Sequence, residues 1–461
     1  MIFDQYYLDC LSQASYLVGD ESTGRAVVVD PRRDVGEYLA DAEAKGLSIE
    51  LVIETHFHAD FLSGHLELAA ATGAEVAYSS VASPDFDFRA MQDGERVSLG
   101  EVVLEFRHTP GHTPESMSIV VWEHADDAEP HAVLTGDTLF IGDVGRPDLL
   151  SSVGFSQDDL ASQLYDSLHG QLMVLPDATK VFPGHGAGSA CGKNLSTDTW
   201  STIGEQRRTN YAIKAPDKET FIDLVTEGQP TAPGYFLYDA GLNKSDHGLL
   251  DETEPTVALS WGEAQAAMEA GAVLLDGRDP EDFARGYLEG SINVGLNGRY
   301  AEFAGSIVPV DMDIVVVVEP GAELEAKNRL ARIGFDRVLG HVEAPYGVMQ
   351  SNPEDAGIAS RLTAEQLVDR LAQDDSVQLV DVRGPGECES AGVIDGALNM
   401  PVATVRSQLD DLDPNLPTVV YCAGGYRSSV VASMLRAEGF ADVSDLIGGF
   451  DAWAPDNACV S

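Results

Sequence analysis

Two stretches of this chain repeat one another. VLLDGRDPEDFARGYLEGSINVGL begins at residue 273 and VQLVDVRGPGECESAGVIDGALNMPV at residue 377. Asp276-Gly-Arg278 corresponds to Asp381-Val-Arg383, Gly290 to Gly396, and RIGF near 335 to AEGF near 440, a duplication of about 105 residues. Each copy alternates short apolar runs with helical segments, which predicts two small doubly wound α/β domains with parallel sheets. They span 257–350 and 361–461, with the turn-rich SNPEDAGIAS between them. The polar stretch 240–256 reads as a linker, leaving 1–240 as one larger domain of strands and helices.

Charge narrows the partners. With 28 basic against 76 acidic residues the net charge is −48, which disfavours nucleic acid and anionic membrane surfaces. The acidic excess runs along the whole chain and fits a halophilic protein, because concentrated salt screens self-repulsion within a few ångström. No apolar run approaches the roughly 18 residues of a membrane span. The opening MIFDQYYLDCLSQASY lacks the basic and apolar regions of a signal peptide, so the expected location is cytoplasmic. Cys10, Cys191, Cys388, Cys422 and Cys459 form no CxxC pair and are expected to be free thiols.

The first domain holds the residue types of a metal site. ETHFHADFLSGH places His56, His58 and Asp60 at every second position, HTPGHTPES adds His112, LTGDTLF adds Asp137, and VFPGHGAGS adds His185. In each, an apolar strand runs into a turn that presents a ligand-type side chain at one sheet edge. Binuclear hydrolase sites usually carry one more histidine directly after the aspartate, and here Phe61 occupies that position. The remaining donors leave two possibilities. Two imidazoles and one carboxylate suit ferrous iron with open positions, whereas three histidines and a water suit zinc.

These segments resemble the metallo-β-lactamase superfamily, which implies an N-terminal αββα sandwich. HADFLSGH, HTPGHTPES, GDVGRPDLL and PGHGAGSACGK look like the persulfide dioxygenases of that superfamily, in particular fusions with sulfurtransferase domains. The resemblance implies one Fe(2+) held by His56, His112 and Asp137. His58 and Asp60 would then orient ligands, and His185 would hydrogen-bond substrate. Arg146 is expected to pair with an anionic substrate end, and Cys191 to lie near the pocket.

In TVVYCAGGYRSSVVASML, Cys422 ends a strand, Gly424 and Gly425 permit a curled backbone, and Arg427-Ser428 open a helix. Backbone N–H groups and the helix N-terminus would stabilise a thiolate or a persulfide there. The loop resembles that of rhodanese sulfurtransferases, implying Cys422 as nucleophile and Arg427 as its catalytic partner, with Gly424 and Gly425 lining the substrate cradle. The first copy contains no cysteine; VVVVEPGAELEA occupies its loop, near Glu319, so it reads as a spacer or docking domain. Cys388 and Cys459 lack a comparable setting.

The combined expectation is an enzyme that oxidises a low-molecular-weight thiol persulfide with O2 to sulfite, coupled to thiosulfate formation at Cys422, in a homo-oligomer. The alternative is a zinc thioester hydrolase of the glyoxalase II type joined to a sulfurtransferase. A third reading is a sulfur carrier whose metal domain is structural.

Overall fold

The computed structural model describes residues 1–457; Cys459 lies outside them. The chain forms two compact units, Met1–Ala232 with Phe236–Asp251, and Pro233–Tyr235 with Glu252–Ser461.

The first unit contains two six-stranded sheets. One is built in order from β1 (Ile2–Leu8), β2 (Gln13–Asp20), β3 (Arg25–Val29), β4 (Ser48–Ile53), β5 (Glu75–Ser79) and β6 (Arg89–Met91). The other comprises β7 (Arg96–Ser98), β8 (Val103–His108), β9 (Met117–Trp122), β10 (Ala132–Gly136), β11 (Lys180–Pro183) and β12 (Ser201–Thr202). The apolar run AVVV of β3 shows why the arrangement has four layers. Val27 and Val29 enter the core between the sheets with Ile53, Phe106, Ile119 and Leu134. Ala26 and Val28 face the opposite way, toward Tyr38 and Leu68 on the flanking helices. Strands covered on both faces carry continuous apolar sequence rather than strict alternation. On the second sheet Val120 and Val133 likewise pack outward, onto Leu164 and Leu168. The result is the αββα sandwich expected from the sequence.

The second unit repeats a five-stranded sheet. Its first copy uses β13 (Ala258–Leu259), β14 (Val273–Asp276), β16 (Ser291–Asn293), β17 (Ile314–Val317) and β18 (Val338–Val342), in the order β13-β18-β17-β14-β16. Between them in sequence, β15 (Tyr287–Leu288) pairs with β19 (Ala356–Gly357). The second copy uses β20 (Ser360–Leu362), β21 (Gln378–Asp381), β22 (Leu398–Asn399), β23 (Thr418–Tyr421) and β24 (Val443–Leu446), in the order β20-β24-β23-β21-β22. All pairs within both five-stranded sheets are parallel. The duplicated Asp-x-Arg forms the same buried hinge twice. Arg278 binds Asp276 and the Gly286 carbonyl, and Arg383 binds Asp381 and the Gly392 carbonyl. Asn293 and Asn399 tie the following turn to these pairs in the same way. No helix among the described residues is long and apolar enough to cross a membrane.

Candidate functional site

The donor-bearing turns of the first unit leave one edge of the sandwich. His56 and His58 follow β4, His112 lies between β8 and β9, Asp137 follows β10 and His185 follows β11. Gly136, at φ 47°, lets the chain turn beneath Thr55, where a Cβ would meet the Thr55 hydroxyl at 2.5 Å.

His56, His112 and Asp137 converge, each offering one buried ligand atom within 4.8 Å of the others. The Nε2 atoms of His56 and His112 lie 3.8 and 3.5 Å from Asp137 Oδ2. Hydrogen bonds define which nitrogen is available. His112 Nδ1 donates to the Arg146 carbonyl at 2.9 Å, and His56 Nδ1 lies 2.9 Å from the Thr55 hydroxyl, itself a donor to Asp30. Both rings therefore carry their lone pair on Nε2, toward Asp137. Burial and the neighbouring His58 push His56 well below its ordinary range, keeping it neutral. Asp137 Oδ2 is buried without a hydrogen-bond partner. An orphaned carboxylate oxygen beside two aimed imidazole lone pairs fits a divalent metal, which would satisfy all three.

A second layer surrounds this centre. His185 has Nδ1 2.8 Å from Asp137 Oδ1 and Nε2 2.7 Å from Asp60 Oδ2. Burial opposes its charge, but the two carboxylates outweigh it and hold the imidazolium well above the ordinary range. Both ring nitrogens thus face carboxylates, Asp137 on one side and Asp60 on the other. Asp137 in turn is held well below the usual carboxylate range, because the charge of His185 and its hydrogen bond overcome the burial penalty. His58 Nε2 faces Asp30 at 3.0 Å and Glu54 at 3.3 Å. Burial opposes its charge too, but these partners push it up to about 10, while burial raises Glu54 to about 7.

Phe61 is buried, with its ring centroid 4.3 Å from that of His58. An apolar ring therefore stands where a binuclear site would have a further imidazole. Cys191 meets Asp60 and His185, with ligand atoms mutually within 4.8 Å. Burial and the nearby Asp60 and Asp137 charges push its thiol well above the ordinary range.

Arg146 requires a correction. Its guanidinium chelates Asp148 at 2.7 and 2.6 Å and donates to the carbonyls of Ala190 and Pro230 at 3.0 and 2.6 Å. Four of its five N–H groups are consumed in bracing loops, and the side chain is buried, so it is not placed to meet a substrate anion.

In the second unit, Cys422 follows β23 and is buried. The Gly425 N–H donates to Sγ at 3.1 Å, and the Ser428 hydroxyl lies 3.6 Å away. Gly425 adopts φ 100°, which favours glycine, whereas Gly424 has open space around its Cα and no such requirement. Strand register identifies the equivalent position in the first copy. Asp276 pairs with Val317 and Asp381 with Tyr421, so the residue matching Cys422 is Val318, and exposed Glu319 lies one position beyond. Cys388 Sγ sits 3.5 Å from Asp381, and burial raises its thiol to about 11.

The metallo-beta-lactamase superfamily model matches residues 8–185. A hydroxyacylglutathione hydrolase of Rhodospirillum rubrum is 36% identical over 231 residues, covering 50% of this chain and 80% of that protein. The chain belongs to the metallo-β-lactamase superfamily. The rhodanese-like domain model matches twice, at 260–342 and 363–456, so this metallo-β-lactamase domain is followed by tandem rhodanese-like domains. The mitochondrial persulfide dioxygenase of Homo sapiens is 29% identical over 198 residues, covering 42% of this chain and 69% of that one. A crystal structure of a metallo-beta-lactamase from Staphylococcus aureus subsp. aureus COL, 32% identical, superposes with a TM-score of 0.66 and covers 74% of this chain and 98% of its own.

The metallo-β-lactamase domain also uses residues that the sequence reading missed. Asn243, inside the stretch read as linker, lies on the helix Phe236–Lys244 and is fully buried. Its side chain donates to the carbonyls of His58 and Phe61 and accepts from the Ser63 N–H. Glu115 similarly accepts from the Phe57 N–H at 3.0 Å. Asn243 carries no signal, being one asparagine in a polar run, whereas Glu115, two residues before β9, lies within the HTPGHTPES segment.

Proposed function

We propose that this protein is a mononuclear iron persulfide dioxygenase of the metallo-β-lactamase superfamily, fused to a sulfurtransferase. The domains are taken as 1–240, 257–350 and 361–461. The observation that carries the reading is Phe61, an apolar ring at the position of a second-metal histidine, beside a complete set of two imidazoles and one carboxylate. His56, His112 and Asp137 would hold the metal. Ferrous iron bound there would supply O2 activation next to a persulfide sulfur. His185 fixes the direction of Asp137, and Asp60 fixes His185. Cys422 would carry sulfane sulfur in the third domain. Sulfite attacking the outer sulfur of a Cys422 persulfide would form thiosulfate, with the electron pair of the broken S–S bond returning to the cysteine as thiolate.

The test is O2 uptake by the iron-loaded full chain on adding a low-molecular-weight persulfide. Rapid uptake with sulfite and thiosulfate supports the reading, and Cys422→Ser should remove thiosulfate while sparing uptake. Thiosulfate formation by Cys422→Ser would refute the sulfur-transfer step. A second reading, a zinc thioester hydrolase of the glyoxalase II type, is favoured by the 36% identity to a hydroxyacylglutathione hydrolase. Thioester turnover by the zinc-loaded protein without persulfide-dependent O2 uptake would establish it instead.

A further inference from the structure

The cysteine-less rhodanese-like copy contacts the Cys422 loop directly. Tyr426, the fifth residue of Cys-Ala-Gly-Gly-Tyr-Arg, leaves its own domain and donates its hydroxyl to the Gly295 carbonyl at 2.7 Å. Its ring lies against Gly298, where any Cβ would overlap the ring, and packs 5.6 Å from Phe303. The receiving turn is braced from beneath, since the buried Arg329 donates to the carbonyls of Leu296 and Gly298 at 2.5 and 2.7 Å. Two turns along the helix Tyr426–Ala437, the Ser433 hydroxyl accepts from the Asn293 N–H at 2.8 Å. Arg406 adds a bond to the Ile307 carbonyl at 2.8 Å.

The neighbour of Tyr426 is Gly425, whose N–H points at Cys422 Sγ. Glycine at φ 100° can swivel, so the direction of that N–H is set by what holds the residues on either side. On the helix side the Ser428 hydroxyl donates to the Gly425 carbonyl at 3.1 Å, and Tyr426 adds an anchor that belongs to the first copy.

We infer that the cysteine-less copy is the seat of the sulfur-carrying loop, and that Tyr426 is a positioning residue holding the Gly425 N–H on Cys422 Sγ through the Gly295–Gly298 turn. This rests on Cys422 being the sulfur carrier. It gives the first copy a function that needs no cysteine, and it explains why glycine stands at 298, where no positive φ requires it.

The experiment uses the full chain with two variants, isosteric Tyr426→Phe and Gly298→Ala, the latter a change in the cysteine-less copy alone. Thiosulfate:cyanide sulfur transfer, iodoacetamide alkylation of Cys422 and thermal melting are measured. Gly298→Ala should lower the sulfur-transfer kcat about tenfold and Tyr426→Phe about threefold, with KM for thiosulfate and the melting temperature unchanged, as expected for misplacement of a reacting group. Alkylation should slow in parallel. Unchanged kcat and alkylation in both variants would overturn the inference. A fall in Gly298→Ala that appears only with a lowered melting temperature, with Tyr426→Phe unaffected, would also overturn it. If Cys422→Ser retains sulfur transfer, the carrier reading fails instead, and the alkylation rates still decide whether Tyr426 positions the loop.

Discussion

Arg427 and Glu387 meet face to face across the Cys422 loop, through two parallel hydrogen bonds of 2.6 and 2.7 Å. These bonds hold the Glu387 carboxyl below its ordinary range. Glu387 also caps its own helix by accepting the Gly384 N–H. The cation next to Cys422 is therefore already paired, and any anion that reached it would compete with a built-in carboxylate. Glu387→Gln keeps the cap and removes the competing charge. Its KM for thiosulfate should fall about three- to tenfold with little change in kcat. An unchanged KM would show that the anion does not use Arg427.

Phe61→His tests the metal-site reading. An imidazole at this position would join Asp60, His185 and Cys191, and zinc content after reconstitution should rise from about one to about two per chain. Elemental analysis of the dialysed proteins reads this directly, and equal metal content in parent and variant would count against it.

Asn243→Ala should loosen the loop that displays His56 and His58. It leaves the Ser63 N–H and the His58 and Phe61 carbonyls without their partner. The expected cost is about 3 kcal/mol in stability, with about tenfold weaker metal binding. Melting curves and metal titration check the two effects separately.

Asp20 supplies a pH dependence. Burial raises its pKa, but hydrogen bonds from the Ser22 hydroxyl and the Val102 and Ser22 N–H groups win, lowering it from 3.8 to about 2. A depressed folded-state value stabilises the fold above the unfolded value, and this contribution disappears as pH falls through about 4 toward 2. Asp20→Asn should therefore cost about 2 kcal/mol at neutral pH. The gap from the parent should narrow below about pH 4, as followed by denaturant unfolding.

The charge of −48 predicts a salt requirement. The melting temperature should climb steadily between about 0.1 M and molar KCl as self-repulsion is screened. A flat profile would remove the halophilic reading.

Much of this molecule could be read from local sequence. The two doubly wound α/β copies followed from apolar runs and from the duplication, because strand and helix patterning is a property of neighbouring residues, whereas the N-terminal αββα sandwich was implied by the family resemblance. His56, His58, Asp60, His112, Asp137 and His185 stand out as candidate donors because they lie in turns that follow apolar strands, while the choice of His56, His112 and Asp137 among them rests on the family resemblance. Cys422 and Arg427 were legible for the same reason, lying in one continuous loop.

What the tertiary structure alone decided is which side chains meet across distant segments. Arg146 looked like an anion receptor, yet Asp148 and the Ala190 and Pro230 carbonyls consume it, a pairing that depends on three loops closing together. Asn243 reads as part of a linker, and only the folded helix carries it back to the His58–Ser63 loop, 180 residues away. The counterpart of Cys422 is Val318 rather than Glu319 because parallel strand register, not sequence spacing, aligns the two copies. Tyr426 looked like one aromatic residue among others until the packing of the copies placed its hydroxyl on Gly295. In each case the sequence specifies the donors and acceptors, while long-range packing determines their partners, because a buried polar group must find one wherever the fold provides it.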